Sequence, residues 1–371
     1  MSIEPIKMPK WGLAMEEGKI VEWWAKEGDE VKEGDDLVDI ETSKITNVCE
    51  AHRDGILRKI VATTDETLPV GSLIAVMAET SDSDEDIDAF IADFQANFEP
   101  GDDEGEGSGP QIREVEVYGR NLRGGGTGEG QDESPIVLLH GFGGEINNWM
   151  LVQPALAAEK PVYAIELPGH GQSSKDVGDG KLSSIAMGIV AAIDALGIDQ
   201  LSLVGHSFGG AVAIEVAAKL KGRVDGLGLV CPAGLAGGRL NNAYLEQFVA
   251  AKRAKDLREP AKQLFADPGF VTRELLEDLI KAKRLDGAQE ALGAIKDNLL
   301  GADPAYSELN ARLKAIAAPV ILIATKADQI VGQPDVDNLP ADISVHWIED
   351  AGHMPHLEQS ASVVEVLKHL A

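Results

Sequence analysis

The chain has 371 residues, enough for two or three folded units. Hydrophobic residues make up 44% and charged residues 26%, ordinary globular usage that excludes wholesale disorder and fibrous architecture. Lys plus Arg number 33 against 62 Asp plus Glu, and a net charge of −29 argues against sequence-independent binding to nucleic acid or to an anionic membrane, since both need a cationic face.

Cys49 and Cys231 lie far apart, so a disulfide framework is not expected and a reducing compartment fits. No run of 18 apolar residues occurs, and Met1 to Gly12 has no apolar core of the secretory kind. A soluble, cytoplasmic protein is expected.

The first organised feature is an internal repeat. Gly18-Lys19-Ile20 aligns with Gly55-Ile56-Leu57, and Val31-x-x-Gly34-x-x-Leu37 aligns with Leu68-x-x-Gly71-x-x-Ile74. Each half reads as short strands punctuated by Gly and acidic turns. So small a strand set cannot bury its own core, so the halves are expected to pack face to face as a flattened all-β barrel. The turn Glu41-Thr42-Ser43-Lys44-Ile45 then presents one lysine at its tip. Residues 1–79 resemble a lipoyl domain, with Asp39-Ile40-Glu41-Thr42-Ser43-Lys44 at the place of that family's E-T-D-K-A turn. The resemblance implies lipoic acid in amide linkage to Lys44. Biotin carriers of the same fold have Met on both sides of the lysine, where this chain has Ser43 and Ile45. The plain alternative is an ordinary exposed turn lysine.

Residues 80–111 read as an acidic linker. Such a run is solvated and extended by self-repulsion, with a reach of roughly 30 Å as a flexible coil. Within it, Ile87, Phe90, Ile91, Phe94 and Phe98 form one apolar stripe, which predicts an amphipathic helix over 86–98. Two destinations are open for that stripe: a partner protein, or the chain's own second domain.

Residues 112–371 alternate strands and helices. Strands are expected at 115–118, 136–139, 162–165, 201–204, 226–230, 320–323 and 344–348, and their continuous apolar runs mark a parallel sheet buried on both faces. Residues 235–305 carry no strand pattern and read as a helical cap. The glycines at 124–126, 128 and 130 lack the helix that a phosphate-binding loop needs, so they read as a hairpin loop.

Gly205-His206-Ser207-Phe208-Gly209 is a G-x-S-x-G elbow, with a strand before it and a small-residue helix after it. The alternative is a structural turn serine. A serine hydroxyl needs a base, and the base an orienting acid. In the order Ser, acid, His, these fall on Ser207, Asp328 and His353. Asp350 reads as a surface acid and His356 as a loop or substrate-channel histidine. His140-Gly141-Phe142-Gly143 resembles the H-G-x-G turn of α/β-hydrolases, which makes the backbone N–H groups of Phe142 and Phe208 the oxyanion donors. His140 and His170 read as structural. No metal site is expected.

Lipoyl domain, acidic joint and α/β-hydrolase domain together resemble the acyltransferase components of acetoin dehydrogenase complexes. The resemblance implies acetyl transfer from the lipoyl arm to coenzyme A. It also implies two partners: a thiamine-diphosphate-dependent acetoin-cleaving component and a dihydrolipoamide dehydrogenase. The H-x-x-x-D-G motif of ordinary 2-oxoacid dehydrogenase acyltransferases is absent. Two alternatives stay open: a serine thioesterase or esterase docked by its lipoyl domain, and a lipoyl carrier whose hydrolase fold is only a scaffold. For the phosphates of coenzyme A, the densest cationic run is Lys252, Arg253, Lys255, Arg258 and Lys262; a solvated helix face is the alternative.

Overall fold

The computed structural model describes residues 3–9, 15, 17–32, 34–42, 46–51, 53–98, 111–127, 134–235, 240–340 and 343–370. The chain divides into two units, Met1–Gly109 and Pro110–Ala371.

The first unit carries β1 (Glu4–Lys7), β2 (Glu17–Trp23), β3 (Glu30–Val31), β4 (Asp36–Glu41), β5 (Thr46–Glu50), β6 (Gly55–Ile60), β7 (Thr67–Pro69) and β8 (Leu73–Ala78). They form two four-stranded sheets, ordered β1-β8-β6-β3 and β5-β4-β2-β7. The sequence repeat explains this: β2 corresponds to β6, β3 to β7 and β4 to β8, so exchanging the halves turns one sheet order into the other. Alternating residues such as Ile6, Ile20, Leu37, Leu57 and Ile74 are buried in a common core. Pairing of Glu41 with Thr46 makes β4 and β5 a hairpin. Ser43, Lys44 and Ile45 themselves lie outside the described residues.

The predicted amphipathic helix is α1 (Asp84–Asn97), begun by Ser83, whose hydroxyl accepts from the N–H of Asp86. Its stripe takes neither destination raised by the sequence. Ile87 is buried with Ile3, Leu73, Val76 and Ala78 on the β1-β8 sheet, and Phe90, Ile91 and Phe94 pack beside it. Arg58 pairs with Asp84 at 2.7 Å, Lys59 with Asp88 at 2.9 Å, and the Lys7 ammonium lies 5.6 Å from the Phe94 ring centre. An acidic helix is thus steered onto the barrel's own basic side chains.

The second unit holds an eight-stranded sheet. Its strands are β9 (Gln111–Val117), β10 (Arg120–Thr127), β11 (Ile136–Leu139), β12 (Val162–Ile165), β13 (Leu201–His206), β14 (Val224–Val230), β15 (Val320–Thr325) and β16 (Ile343–Ile348). Their order is β16-β15-β14-β13-β11-β12-β10-β9, parallel from β12 to β16 and antiparallel at the β9-β10 edge. Among the described helices are α2 (Gln153–Ala157), α3 (Leu182–Ala195) and α4 (Phe208–Leu220). The cap contributes α5 (Asn242–Ala250), α6 (Ala254–Lys262), α7 (Arg273–Lys283) and α8 (Ala288–Asp297). After it come α9 (Leu309–Lys314), α10 (Pro355–Glu358) and α11 (Ser360–Leu367).

One expectation needs correcting. Gly124, Gly125 and Gly126 are not a hairpin loop; they sit inside β10, paired to β9 on one side and β12 on the other. A Cβ on Gly124 would come within 3.1 Å of the Ala164 carbonyl oxygen, so glycine serves close backbone approach there. The turn is instead at Tyr118 and Gly119, both with positive φ. Gly128 and Gly130 fall outside the described residues.

Candidate active site

The candidate residues gather at the carboxyl ends of the parallel strands, where the strand order reverses around β11. Ser207 sits between β13 and α4 at φ 53, ψ −120, a conformation that non-glycine residues rarely adopt. The elbow's glycines make that turn possible. A Cβ on Gly205 would fall 2.2 Å from the Gly209 oxygen, and one on Gly209 would fall 2.3 Å from the His140 oxygen. Only hydrogen fits at either place, which is the physical content of the G-x-S-x-G spacing.

Asp328 follows β15 and His353 follows β16. His353 Nε2 lies 2.8 Å from Ser207 Oγ, and its Nδ1 lies 2.8 Å from Asp328 Oδ2. Asp328 Oδ1 accepts from the N–H groups of Ile330 and Val331 at 2.7 and 3.0 Å, which locks the carboxylate against its own loop. Burial pushes the Asp328 pKa up, but the His353 ring and the two N–H donors outweigh it and hold the carboxyl below its usual range. The acid is therefore an anion beside an imidazole that can be handed a proton.

The Cys231 thiol, the Asp328 carboxylate and the His353 imidazole come within 4.8 Å of one another. Since Nδ1 and Oδ2 already engage each other, that trio has the chemistry of a hydrogen-bonded relay rather than of a ligand set. Burial first, and the Asp328 charge second, keep the Cys231 thiol protonated.

The loop after β11 lies directly against Ser207: a Cβ on Gly141 would sit 3.1 Å from Ser207 Cβ. His140 fixes this loop. Its Nδ1 lies 2.8 Å from the Gly141 oxygen, and its Nε2 accepts from the N–H of Leu167 at 3.0 Å, so the ring is neutral with the proton on Nδ1. Full burial lowers its pKa to about 4. Phe208 opens α4, so its N–H belongs to the first helical turn, which has no intrahelical acceptor. Phe142 and Phe208 thus flank Ser207 from two elements. His170 is likewise buried, its pKa lowered to about 3, with Nδ1 3.1 Å from the Pro168 oxygen.

His356 is no channel residue. It is fully buried, 4.7 Å from the Trp149 ring and 4.4 Å from the His206 ring. His206 in turn places Nε2 2.8 Å from the His353 carbonyl oxygen and stacks 4.7 Å from the His353 ring. Sequence reasoning missed this aromatic support; the spacing of His353 and His356 gave no sign that the second points into the core. Asp350 is exposed, as expected of a surface acid.

Ser207 and His353 open onto a solvent-connected cavity; the space between its walls, open solvent included, is about 680 Å³. The cap supplies nine of the 21 lining residues, among them Tyr244, Leu245 and Phe248 from α5, Leu264 and Phe265 after α6, and Leu275 and Leu279 from α7. No Asp, Glu, Lys or Arg lines it among the described residues.

Fold and site together define a two-part protein: a biotin/lipoyl-type carrier unit followed by an α/β-hydrolase unit with a serine, a histidine and an aspartate in register. Residues 4–77 match the family model described as "Biotin-requiring enzyme", and residues 136–366 match that of the "Alpha/beta hydrolase family". The second unit resembles the 2-hydroxy-6-oxo-6-phenylhexa-2,4-dienoate hydrolase of Rhodococcus (TM-score 0.62, 22% identity), with 70% of this chain and 99% of that one covered. It also resembles a meta-cleavage product hydrolase of Pseudomonas fluorescens (TM-score 0.59, 24% identity, 70% and 98% covered). Over 363 residues the chain is 42% identical to the dihydrolipoyllysine-residue acetyltransferase component of the acetoin cleaving system of Pseudomonas putida, covering 97% of this chain and 96% of that protein. The protein of the same name from Cupriavidus necator is 37% identical over 368 residues, 99% and 97% covered. The chain belongs to the family of dihydrolipoyllysine-residue acetyltransferase components of acetoin cleaving systems.

Proposed function

We propose that the protein transfers an acetyl group from a lipoyl-lysine thioester to coenzyme A, with lipoic acid on Lys44 and Ser207, His353 and Asp328 as the working side chains. One observation carries this reading: His353 bridges Ser207 and Asp328 at hydrogen-bond distance on the floor of an apolar cavity. The β4-β5 pairing supports the first half, because Lys44 falls in sequence between the paired residues Glu41 and Thr46. When attached, lipoic acid would supply the thiol that carries the acyl group.

In the chemistry proposed, Ser207 Oγ attacks the thioester carbonyl carbon while His353 Nε2 takes its proton. Asp328 accepts from Nδ1–H and stabilises the imidazolium. The N–H groups of Phe142 and Phe208 receive the developing oxyanion. As the C–S bond breaks, His353 returns the proton to the departing sulfur, leaving an ester on Ser207. The thiol of coenzyme A then gives its proton to His353 and attacks that ester. The C–O bond breaks, and the proton goes back to Ser207.

The same reading assigns two partners, a thiamine-diphosphate-dependent acetoin-cleaving component and a dihydrolipoamide dehydrogenase, and a cytoplasmic site of action. No described helix is long and apolar enough to cross a membrane. The test is to incubate lipoylated protein with an acetyl donor, with and without coenzyme A. Acetyl-coenzyme A is the expected product, and both its formation and the lipoyl mass addition should disappear in Lys44→Ala. Free acetate as the sole product would place the protein among the thioesterases instead.

A further inference from the structure

The cavity beside Ser207 is lined by 21 residues, more than an acetyl group can touch. Its inner wall is made of Tyr244, Leu245, Phe248 and Phe265, all at most 4% exposed, while Leu240, Leu275 and Leu279 are only partly buried. It is also uncharged: among the described residues its lining contains no carboxylate, ammonium or guanidinium. In the proposed reaction, both thiols belong to long groups whose far ends must stay in water. One is tied by an amide to the carrier unit, and the other ends in phosphates. Each must therefore leave the site by its mouth. What can fill the apolar remainder is the chain on the other side of the carbonyl, the acyl chain. An acetyl group puts only one methyl there.

We infer that the acyl pocket accepts uncharged acyl chains well beyond acetyl, in the four- to eight-carbon range, and that Ser207 is acylated by them more efficiently than by acetyl. This rests on the reading of Ser207 as the acylated nucleophile. The step is the same in atoms and electrons: the Ser207 Oγ–carbonyl bond forms, the bond to the leaving group breaks, and the serine proton passes through His353 to that group. Each methylene taken from water into such a wall favours the bound state by a factor of up to about four. A carboxylate at the end of the chain, by contrast, meets no counter-charge and is rejected.

The experiment uses the full lipoylated chain with p-nitrophenyl acetate, butyrate, hexanoate and octanoate, so that the acyl chain varies and the leaving group does not. Ser207-dependent kcat/KM is expected to rise at least about tenfold from acetate to hexanoate. Leu279→Trp, which places an indole in the cavity, should lower the hexanoate-to-acetate ratio several-fold. If that variant does not fold, Leu275→Trp on the same helix reads the same ratio. A profile that is flat or falls with chain length overturns the inference, and so does a rising profile whose ratio moves in neither variant. The two readings fail separately. A flat profile with intact, Ser207-dependent acetyl transfer to coenzyme A removes only the acyl-chain inference. Acetyl transfer that persists undiminished in Ser207→Ala removes the nucleophile on which both rest.

Discussion

At the residue scale, Asp328 shows how much of the site depends on where a proton sits. Its Oδ2 faces His353 Nδ1, while Oδ1 is held by the Ile330 and Val331 N–H groups. In Asp328→Asn the amide oxygen would keep those two donors, which turns the NH2 group towards the imidazole. Nδ1 must then accept, Nε2 carries the proton, and the base facing Ser207 is lost. Acyl transfer should fall about 10²–10⁴-fold with little change in thermal stability. Ser207→Ala should lower it at least about 10³-fold and abolish labelling by a serine-directed phosphonate. Retention of full activity in either variant would place the chemistry elsewhere. That Ser207, Asp328 and His353 come together was legible in the sequence because crowding and strand order constrain them: glycine is required where a Cβ would meet Gly209 O or His140 O. His206 and His356 were not legible. A histidine used as a neutral, stacked core residue carries no local pattern that separates it from a surface one.

At the scale of elements, the helix over the linker was visible from its apolar stripe, but its docking site was not. The pairs that fix it, Arg58 with Asp84 and Lys59 with Asp88, join residues 26 and 29 apart, beyond the reach of any helical or strand period. Exposed ion pairs of this kind contribute little each, so the apolar contact of Ile87 should dominate. Ile87→Asp would bury a carboxylate against Leu73 and Val76, and the helix should leave the sheet. Hydrogen exchange should then show α1 unprotected and β8 less protected, with the hydrolase unit unchanged; unchanged protection of α1 would deny that Ile87 holds it. The β10 strand escaped notice for a related reason, since its glycines are explained by β12, some forty residues further on. The cationic run of the cap presents the opposite case. On α6, Asp256 pairs with Arg253 and Glu259 with Lys262, while Lys255 and Arg258 are exposed. Among the described residues the cavity has no cation for a phosphate, so the nucleotide end of coenzyme A is expected to be held outside it. Arg253→Glu with Arg258→Glu should raise KM for coenzyme A and reduce its salt dependence, leaving acylation by a small ester nearly unchanged. Equal loss of both activities would exclude that helix as the nucleotide site.

At the scale of the whole molecule, the two-unit organisation was legible because the repeat, the acidic stretch and the strand alternation differ in period and composition. The distribution of buried histidines was not, and it separates the two units in their response to pH. His140, His170, His206 and His356 all lie in the hydrolase unit, and burial is the leading cause that lowers the pKa of each: to about 4 for His140, about 3 for His170 and His356, and well below the ordinary value for His206. In the unfolded chain these rings titrate near 6.5. Below that pH the unfolded state binds protons that the native state refuses, so stability falls as pH falls. Each such ring contributes a slope of up to about 1.4 kcal/mol per pH unit, and the loss continues down to the folded-state values. Asp328, whose folded pKa is depressed, adds to the loss only at lower pH, below the ordinary carboxylate range. Glu166 and Glu358 act in the opposite sense, because burial raises their folded pKa values and the native state takes up their protons above the ordinary carboxylate range, which adds stability as pH falls there. Between pH 6.5 and about 5 four histidines oppose these two carboxyls, so the net stability of the hydrolase unit still falls. Urea unfolding followed separately in the two units should show the hydrolase midpoint dropping steeply over that window. The lipoyl-type unit, whose single histidine is His52, should change far less. His356→Phe, which keeps the stacked volume against Trp149 and His206 without a titrating ring, should make the hydrolase slope shallower by about one proton's worth. A hydrolase midpoint that stayed level from pH 7 to 5 would mean that these rings are not held neutral in the native state.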